Sequence, residues 1–378
     1  MRKTLYSVLP LLVFLGPSYA RLSSFFGLSL TPKVVSVEPE YLRKPSANPA
    51  AERVRARVRQ ARRALEQLPK VTTDSLDSVT LAVSGADGRV QTVTLSKEEF
   101  LKKDNVVTVA SSAGEPLRLT VVRPNYVNTA VRVADSEGRE LQPLAVRYPV
   151  EKSGALKEVA YYTSAHPAVE SAEVVSAGGE YVRVGLDEAA ARLRAKGVHI
   201  APSIVDVAER LCLVEHTDHK RFMTEDPAQI FREVRALYAL NSGDTYRYSV
   251  SSAGAGGMVQ MIPPTYKAIR EQNPAVGLKD DFVEGMRDHA NAARAMLLYM
   301  QDTWDYLRKQ DEVAAALNGG LATQPELLAA GYNSNPRKLP GYLSRGGSEW
   351  RSLIPEETKM YLRIYAAVES NVDFKGRS

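Results

Sequence analysis

A carboxylate at the tip of an apolar helix and an amide inside a glycine-led apolar run are the groups in this sequence best placed to do chemistry. The amide is Gln260, within Ser251-Ser252-Ala253-Gly254-Ala255-Gly256-Gly257-Met258-Val259-Gln260-Met261-Ile262-Pro263. Glycines 254, 256 and 257 permit left-handed backbone and close approach of another segment. Gln260 puts a donor and an acceptor among Met258, Val259, Met261 and Ile262. An amide in an apolar wall suits a groove for a sugar bearing N-acetyl groups. A glycine-rich loop with no ligand fits the same residues, since glycine patterns alone are weak signals. The carboxylate is Glu215. Val207, Leu211 and Val214 recur at helical spacing, so the helix buries one face and delivers Glu215 at its end. A carboxylic acid in an apolar pocket can keep its proton near neutral pH and so act as a general acid. An exposed helix-end glutamate is the other reading.

The glycine run resembles the S-x-x-G-A-x-G-L-M-Q-x-x-P signature of the soluble lytic transglycosylase family, lysozyme-like enzymes that cut peptidoglycan. Two further blocks follow in the family's order. Ala330-Gly331-Tyr332-Asn333 resembles its A-x-Y-N motif, and Ile354-Pro355-Glu356-Glu357-Thr358-Lys359-Met360-Tyr361 resembles its P-x-E-T-x-x-Y motif. Asp288-His289-Ala290-Asn291 is similar to the D-P-x-x-N segment, with spacing one residue short. The blocks lie in roughly the last half of the chain, and the first half carries no such resemblance.

The resemblance implies cleavage of the MurNAc-GlcNAc β-1,4 bond with a single glutamate as general acid and base. The substrate's N-acetyl group assists, and its C6 hydroxyl attacks in place of water to leave a 1,6-anhydro sugar. Ser251 would lie at the cleft floor, and Met258 and Gln260 would contact N-acetylated sugar. Tyr332 and Asn333 would line the cleft. Glu357 would hold the cleft in shape or touch sugar, with Tyr361 on the same helical face. The family sets its acid in an E-S dipeptide about a dozen residues before the glycine run. Here that neighbourhood reads Leu240-Asn241-Ser242-Gly243-Asp244, and asparagine cannot serve as a proton donor of useful acidity. Glu215, preceded by apolar residues as in the family, is the expected acid. Thr217–Arg247 is then an insertion with room for an extra helix, Pro227–Leu240. Glu233 and Asp244 are the remaining candidates, with Glu233 read as part of a solvated face between Arg232 and Arg235. Tyr246 and Tyr248 offer stacking faces for sugar, whereas Phe231 suits the core. Two rivals stay open: a hydrolytic muramidase, and a non-catalytic peptidoglycan-binding or scaffold protein on a degenerate lysozyme-like fold.

The 378 residues carry 49 Lys and Arg against 44 Asp and Glu, a net charge of +5 that suits an anionic cell wall and does not argue for nucleic acid. Met1–Ala20 reads as a secretory signal: Arg2 and Lys3, an apolar stretch from Leu5 to Gly16, then Ser18-Tyr19-Ala20. The apolar stretch is short for a membrane span, and none is expected after signal removal. The expectation is an exported protein, periplasmic or secreted. Cys212, the single cysteine, allows no internal disulfide and reads as a small buried residue. His216 and His219 flank Asp218, which reads as surface polarity. No metal or cofactor is expected.

These parts need a scaffold. The fold expected is an α+β multidomain protein, with a C-terminal all-α lysozyme-like domain preceded by a small antiparallel β domain. The divisions are a signal (1–20), a linker and amphipathic helix (21–70), the β domain (71–150), a mixed connecting region (151–200) and the transglycosylase domain (201–378). Val54, Val58, Ala61 and Leu65 predict a helix whose many arginines form a solvated face. From Ser78 the period becomes two, with a hairpin around Gly85-Ala86-Asp87-Gly88, and further strands to Tyr148 make a sandwich or partial barrel. That module is a spacer or a dock for a cell-wall or envelope partner. A strand is expected near Tyr181–Val184 and a helix over Asp187–Ala195. Helices are then expected near 203–216, 227–241, 264–272, 287–309, 311–317, 324–331 and 356–369.

Overall fold

A computed structural model describes residues 48–243 and 254–378. The expected signal, nearly all of the linker before the first helix, and Asp244, Tyr246, Tyr248 and Ser251 lie outside the described residues. The segments with period two pair into one antiparallel sheet of seven strands: β1 (Ser78–Ser84), β2 (Val90–Ser96), β3 (Val106–Ala110), β4 (Pro116–Arg123), β5 (Ala130–Ala134), β6 (Glu140–Lys152) and β7 (Ala155–Tyr162). Their order is β2-β1-β6-β5-β4-β3, with β7 also on β6. The sheet curls until its ends nearly meet. Past β3, the Ser112 amide donates to the Thr92 carbonyl of β2 at 2.8 Å. Alternation along the strands sends Val79, Leu81, Val83, Leu117, Leu119 and Val121 into the interior with Phe100.

The sheet runs on past the 150 boundary set by sequence. β6 continues to Lys152, and β7 returns along it to Tyr162. The segment beyond holds no strand at Tyr181–Val184. Helix α3, counted below, runs unbroken over Ala172–Ala195. Tyr181-Val182-Arg183-Val184 has strand-like composition, but Val182, Leu186, Ala189 and Leu193 are buried at helical spacing, and that face decides the matter.

The helices are α1 (Pro49–Glu66), α2 (Lys97–Leu101), α3, α4 (Pro202–Val214), α5 (His219–Thr224), α6 (Pro227–Leu240) and α7 (Pro263–Gln272). They continue with α8 (Phe282–Arg287), α9 (His289–Leu307), α10 (Asp311–Asn318), α11 (Gln324–Asn333), α12 (Leu339–Gly346), α13 (Trp350–Leu353) and α14 (Glu356–Asn371). The chain is thus a mixed protein with its sheet in the N-terminal half and helices in the C-terminal half. All described residues belong to one compact unit.

Helix α1 is part of this body. Asn48 caps it, accepting from Ala50 N at 3.0 Å, and Pro49 starts it. Ala51, Val58, Ala61 and Leu65 pack with Ala82, Leu144 and Ala145 on the outer face of the sheet. Three of its arginines, expected in solvent, are clamps. Arg57 reaches Gln142 at 2.7 Å and Ser84 at 2.8 Å, Arg55 reaches the Ala239 carbonyl at 3.0 Å, and Arg62 reaches Asn241 at 2.8 Å. The sequence shows only that arginines alternate with a stripe; their partners lie far along the chain.

Helices α3 and α6 cross where Gly178 has no side chain. A Cβ there would stand 1.7 Å from the Arg235 carbonyl oxygen. We predict that Gly178→Ala forces the helices apart and costs about 2 kcal/mol, read as a lower denaturant midpoint. An unchanged midpoint would contradict this crossing. Glu233 is no solvated face either. It is buried, and its carboxylate joins Arg123 of β4 at 2.8 Å to Arg221 of α5 at 2.9 Å. Beyond α14, the Arg377 guanidinium sits among Asp187, Asp206 and Glu209, at 2.6 and 2.8 Å from the first two. This ties the last segment to α3 and α4.

Candidate active site

Glu215 caps the C-terminal end of α4, where its N–H bonds to the Leu211 carbonyl at 2.9 Å. The helix is there because Ile204, Val207, Leu211 and Val214 give it a wholly buried face, and Pro202 sets its first turn. Glu215 is partly buried, and Tyr361 Oη donates to its Oε1 at 2.6 Å. Burial raises its pKa to about 8; the Tyr361 hydrogen bond opposes that rise and the Glu357 charge adds to it. Oε1 is taken by the phenol, so the acid proton belongs on Oε2.

The turn that sequence singled out lies beside it. Gly256 and Met261 form an antiparallel bridge that closes residues 257–260 into a tight turn. Gly257 is left-handed, with φ +76°, and a Cβ there would stand 2.6 Å from the Met286 carbonyl. Gln260 is left-handed too, with φ 45°, and its Nε2 donates back to the Gly257 carbonyl at 2.9 Å. A tyrosine holds the turn by a carbonyl: Tyr332 Oη donates to Val259 O at 2.6 Å. Tyr238 Oη donates to the Cys212 carbonyl of α4 at 2.7 Å and lies 3.3 Å from Met258 O. The Met258 side chain, expected against sugar, is buried in the core together with its neighbour Val259.

Tyr332 ends α11, close enough for the Glu215 charge to act on its phenol, which burial already raises well above its ordinary value. Tyr361 behaves alike: burial first, then the Glu215 charge, keep it a phenol and so a donor. Asn333 Oδ1 accepts from Thr358 Oγ1 at 2.8 Å and so fastens α11 to α14. Glu357 is exposed one turn before Tyr361. The structure therefore gathers Glu215, the Gln260 turn, Tyr332, Asn333, Glu357 and Tyr361 around one place. Ser251 lies outside the described residues.

Several supporting residues escaped the sequence reading. His216, read as surface polarity, is buried edge-on against Tyr238, with ring centroids 5.4 Å apart. Burial, then His289, lowers its pKa to about 3, so it is neutral and props the backbone of Gly257 and Met258. Tyr299 meets Tyr332 edge-on at 5.5 Å. Tyrosines at otherwise apolar helical positions were the available signal. Asp288 and Asn291, noted for their resemblance, are structural. Asp288 caps α9, and the Asn291 amide ties Tyr266 Oη at 2.8 Å to the Lys279 N–H at 2.9 Å.

Asn241, standing where the resemblance asks for glutamate, is buried away from solvent. Its Oδ1 accepts from Thr163 N and from Arg62, each at 2.8 Å, and its Nδ2 donates to Thr163 O at 2.7 Å. It pairs like a strand residue with the segment after β7. Among the described residues, no cluster of three or more His, Cys, Asp or Glu side chains could hold a metal ion, and no helix is long and apolar enough to cross a membrane. Comparisons with protein-family models, curated proteins and solved structures find no match to this chain.

Proposed function

We propose that this protein is a peptidoglycan lytic transglycosylase with a lysozyme-like helical half, exported to the cell wall. The observation that carries the reading is Glu215: one glutamate at a helix end, held by a phenol and kept protonated near neutral pH. Such a group can protonate the departing sugar oxygen. As a carboxylate it can then take the proton of the C6 hydroxyl as that oxygen attacks C1, closing the 1,6-anhydro ring. One residue performs both transfers, as the resemblance implies. The Gln260 turn and Tyr332 would seat the N-acetylated sugar, and Glu357 at the cleft edge would favour the protonated state of Glu215. The sheet would serve as a brace or a dock for an envelope partner.

The test is mass spectrometry of purified peptidoglycan digested by the protein. Anhydromuramic ends are expected. Reducing ends would make the protein a muramidase, and binding without any product would make it a wall-binding scaffold.

Tyr361→Phe separates the acid's orientation from its acidity. We expect cleavage to fall roughly tenfold, from loss of a charge-assisted hydrogen bond. The alkaline limb of the pH–rate profile should move up, because the hydrogen bond lowers the Glu215 pKa. A downward move would contradict the assigned donor.

A further inference from the structure

The valley between α7 and α9 holds a cavity of about 350 Å³ that the reaction does not use. It is lined by Ala268 and Ile269, by Tyr299 and Tyr306, and by two exposed side chains of opposite charge, Asp302 and Arg337. Arg337 comes from the short turn Pro336–Lys338, and its guanidinium lies over the Tyr306 ring, 4.9 Å from the centroid. Among the described residues, neither charge is in an ion pair, with the other or with any third group. Asp305, less than a turn further along α9, does pair, with Arg308 at 3.0 Å. Two opposite charges that share a cavity without meeting leave room for a ligand carrying both signs between them.

We propose that this cavity binds an α-amino-acid group, an ammonium and a carboxylate on one carbon, with Arg337 taking the carboxylate and Asp302 the ammonium. A planar guanidinium fits a carboxylate with two parallel hydrogen bonds, and its stacking on Tyr306 holds that plane in place. Asp302 is exposed at the rim; desolvation by its neighbours, and then the Asp305 charge, still raise its pKa, so this carboxyl gains from a cation beside it. The volume suits one residue-sized group. The group is either a free amino acid or, resting on the function proposed above, an amino-acid centre on the peptides that peptidoglycan carries. Tyr299 joins the two places, since its ring also packs on Tyr332.

The test is isothermal titration of the full chain with three probes: alanine, peptides released from purified cell wall by an amidase, and alanine amide, which lacks the carboxylate. Saturable binding of alanine or of the wall peptides is expected, with alanine amide weaker. Arg337→Gln and Asp302→Asn should each weaken the bound probe roughly tenfold. Alanine binding would assign a free amino acid, and binding of the peptides alone a wall peptide. No saturable binding of either, or affinity unchanged in both variants, overturns the proposal. Glycan cleavage by the same variants keeps the two readings apart. Cleavage with no probe binding rejects the cavity alone, and binding without cleavage rejects only the proposed activity.

Discussion

Replacing Glu215 by glutamine should abolish glycan cleavage and, at alkaline pH, make the protein harder to unfold. The first effect follows from losing the proposed general acid, since general acid catalysis contributes typically about 10² to 10⁴ in rate. The second follows from linkage. The Glu215 pKa is raised by burial from 4.5 to about 8. Below 4.5 the side chain is protonated in both folded and unfolded chains and adds no pH dependence. Between the two values the folded chain holds a proton that the unfolded chain has released, so stability falls as pH rises. Above about 8 the full cost of a buried carboxylate is present. Glu215→Gln removes that cost, so its gain over wild type should be absent near pH 4 and largest near pH 9. Denaturant midpoints across that range, set beside the pH–rate profile, check both halves. Wild-type cleavage should fade as pH rises through about 8, for the same proton. A variant that keeps most of the rate, or whose stability gain ignores pH, would remove Glu215 from its role.

Asn241 should matter for stability and not for catalysis. Asn241→Ala leaves the Thr163 N–H and carbonyl and the Arg62 guanidinium without their buried partner. Each orphaned polar group costs roughly 1–3 kcal/mol, so a loss of about 3 kcal/mol is expected in chemical denaturation. Asn241→Glu should bring no gain in cleavage. A longer carboxylate would have to accept where Nδ2 now donates, against the Thr163 and Leu237 carbonyls. A large gain in rate would instead make this the operative acid position and reject Glu215.

The contrast between these two residues marks what the sequence could tell. The position of Glu215 at a helix end was legible because its cause is local: Val207, Leu211 and Val214 repeat at helical spacing just before it. Helices α6, α7, α10, α11 and α14 were legible for the same reason. The period-two hairpin of β1 and β2, with its turn glycines, was equally plain. Asn241 was misleading because its partner, Thr163, is 78 residues away, and no periodicity encodes a pairing of that kind. Strand β7 was missed because its first half, Ala155 to Glu158, is almost wholly exposed with no alternation of apolar and polar residues to mark a buried face. The Met258 side chain was misplaced because the resemblance supplies a residue type but not which way a four-residue turn points it. His216 carried a polar label that burial against Tyr238 overrode.

The acidic nest around Arg377 also fixes the helix that carries Glu215. Helix α4 carries Asp206 and Glu209 in that nest and Glu215 at its far end, where Tyr361 holds it. Asp206 and Glu215 are nine residues apart, about 13 Å along the axis at 1.5 Å per residue. A helix held at one end only could still screw, trading a small rotation for a small slide, and its tip would sweep the carboxyl off line. Held at both ends, α4 has a fixed pitch and a fixed phase. The tail's guanidinium thus acts at a distance as the set-screw of the proposed acid, and its grip on Asp206 and Glu209, being largely buried, is one that salt loosens little.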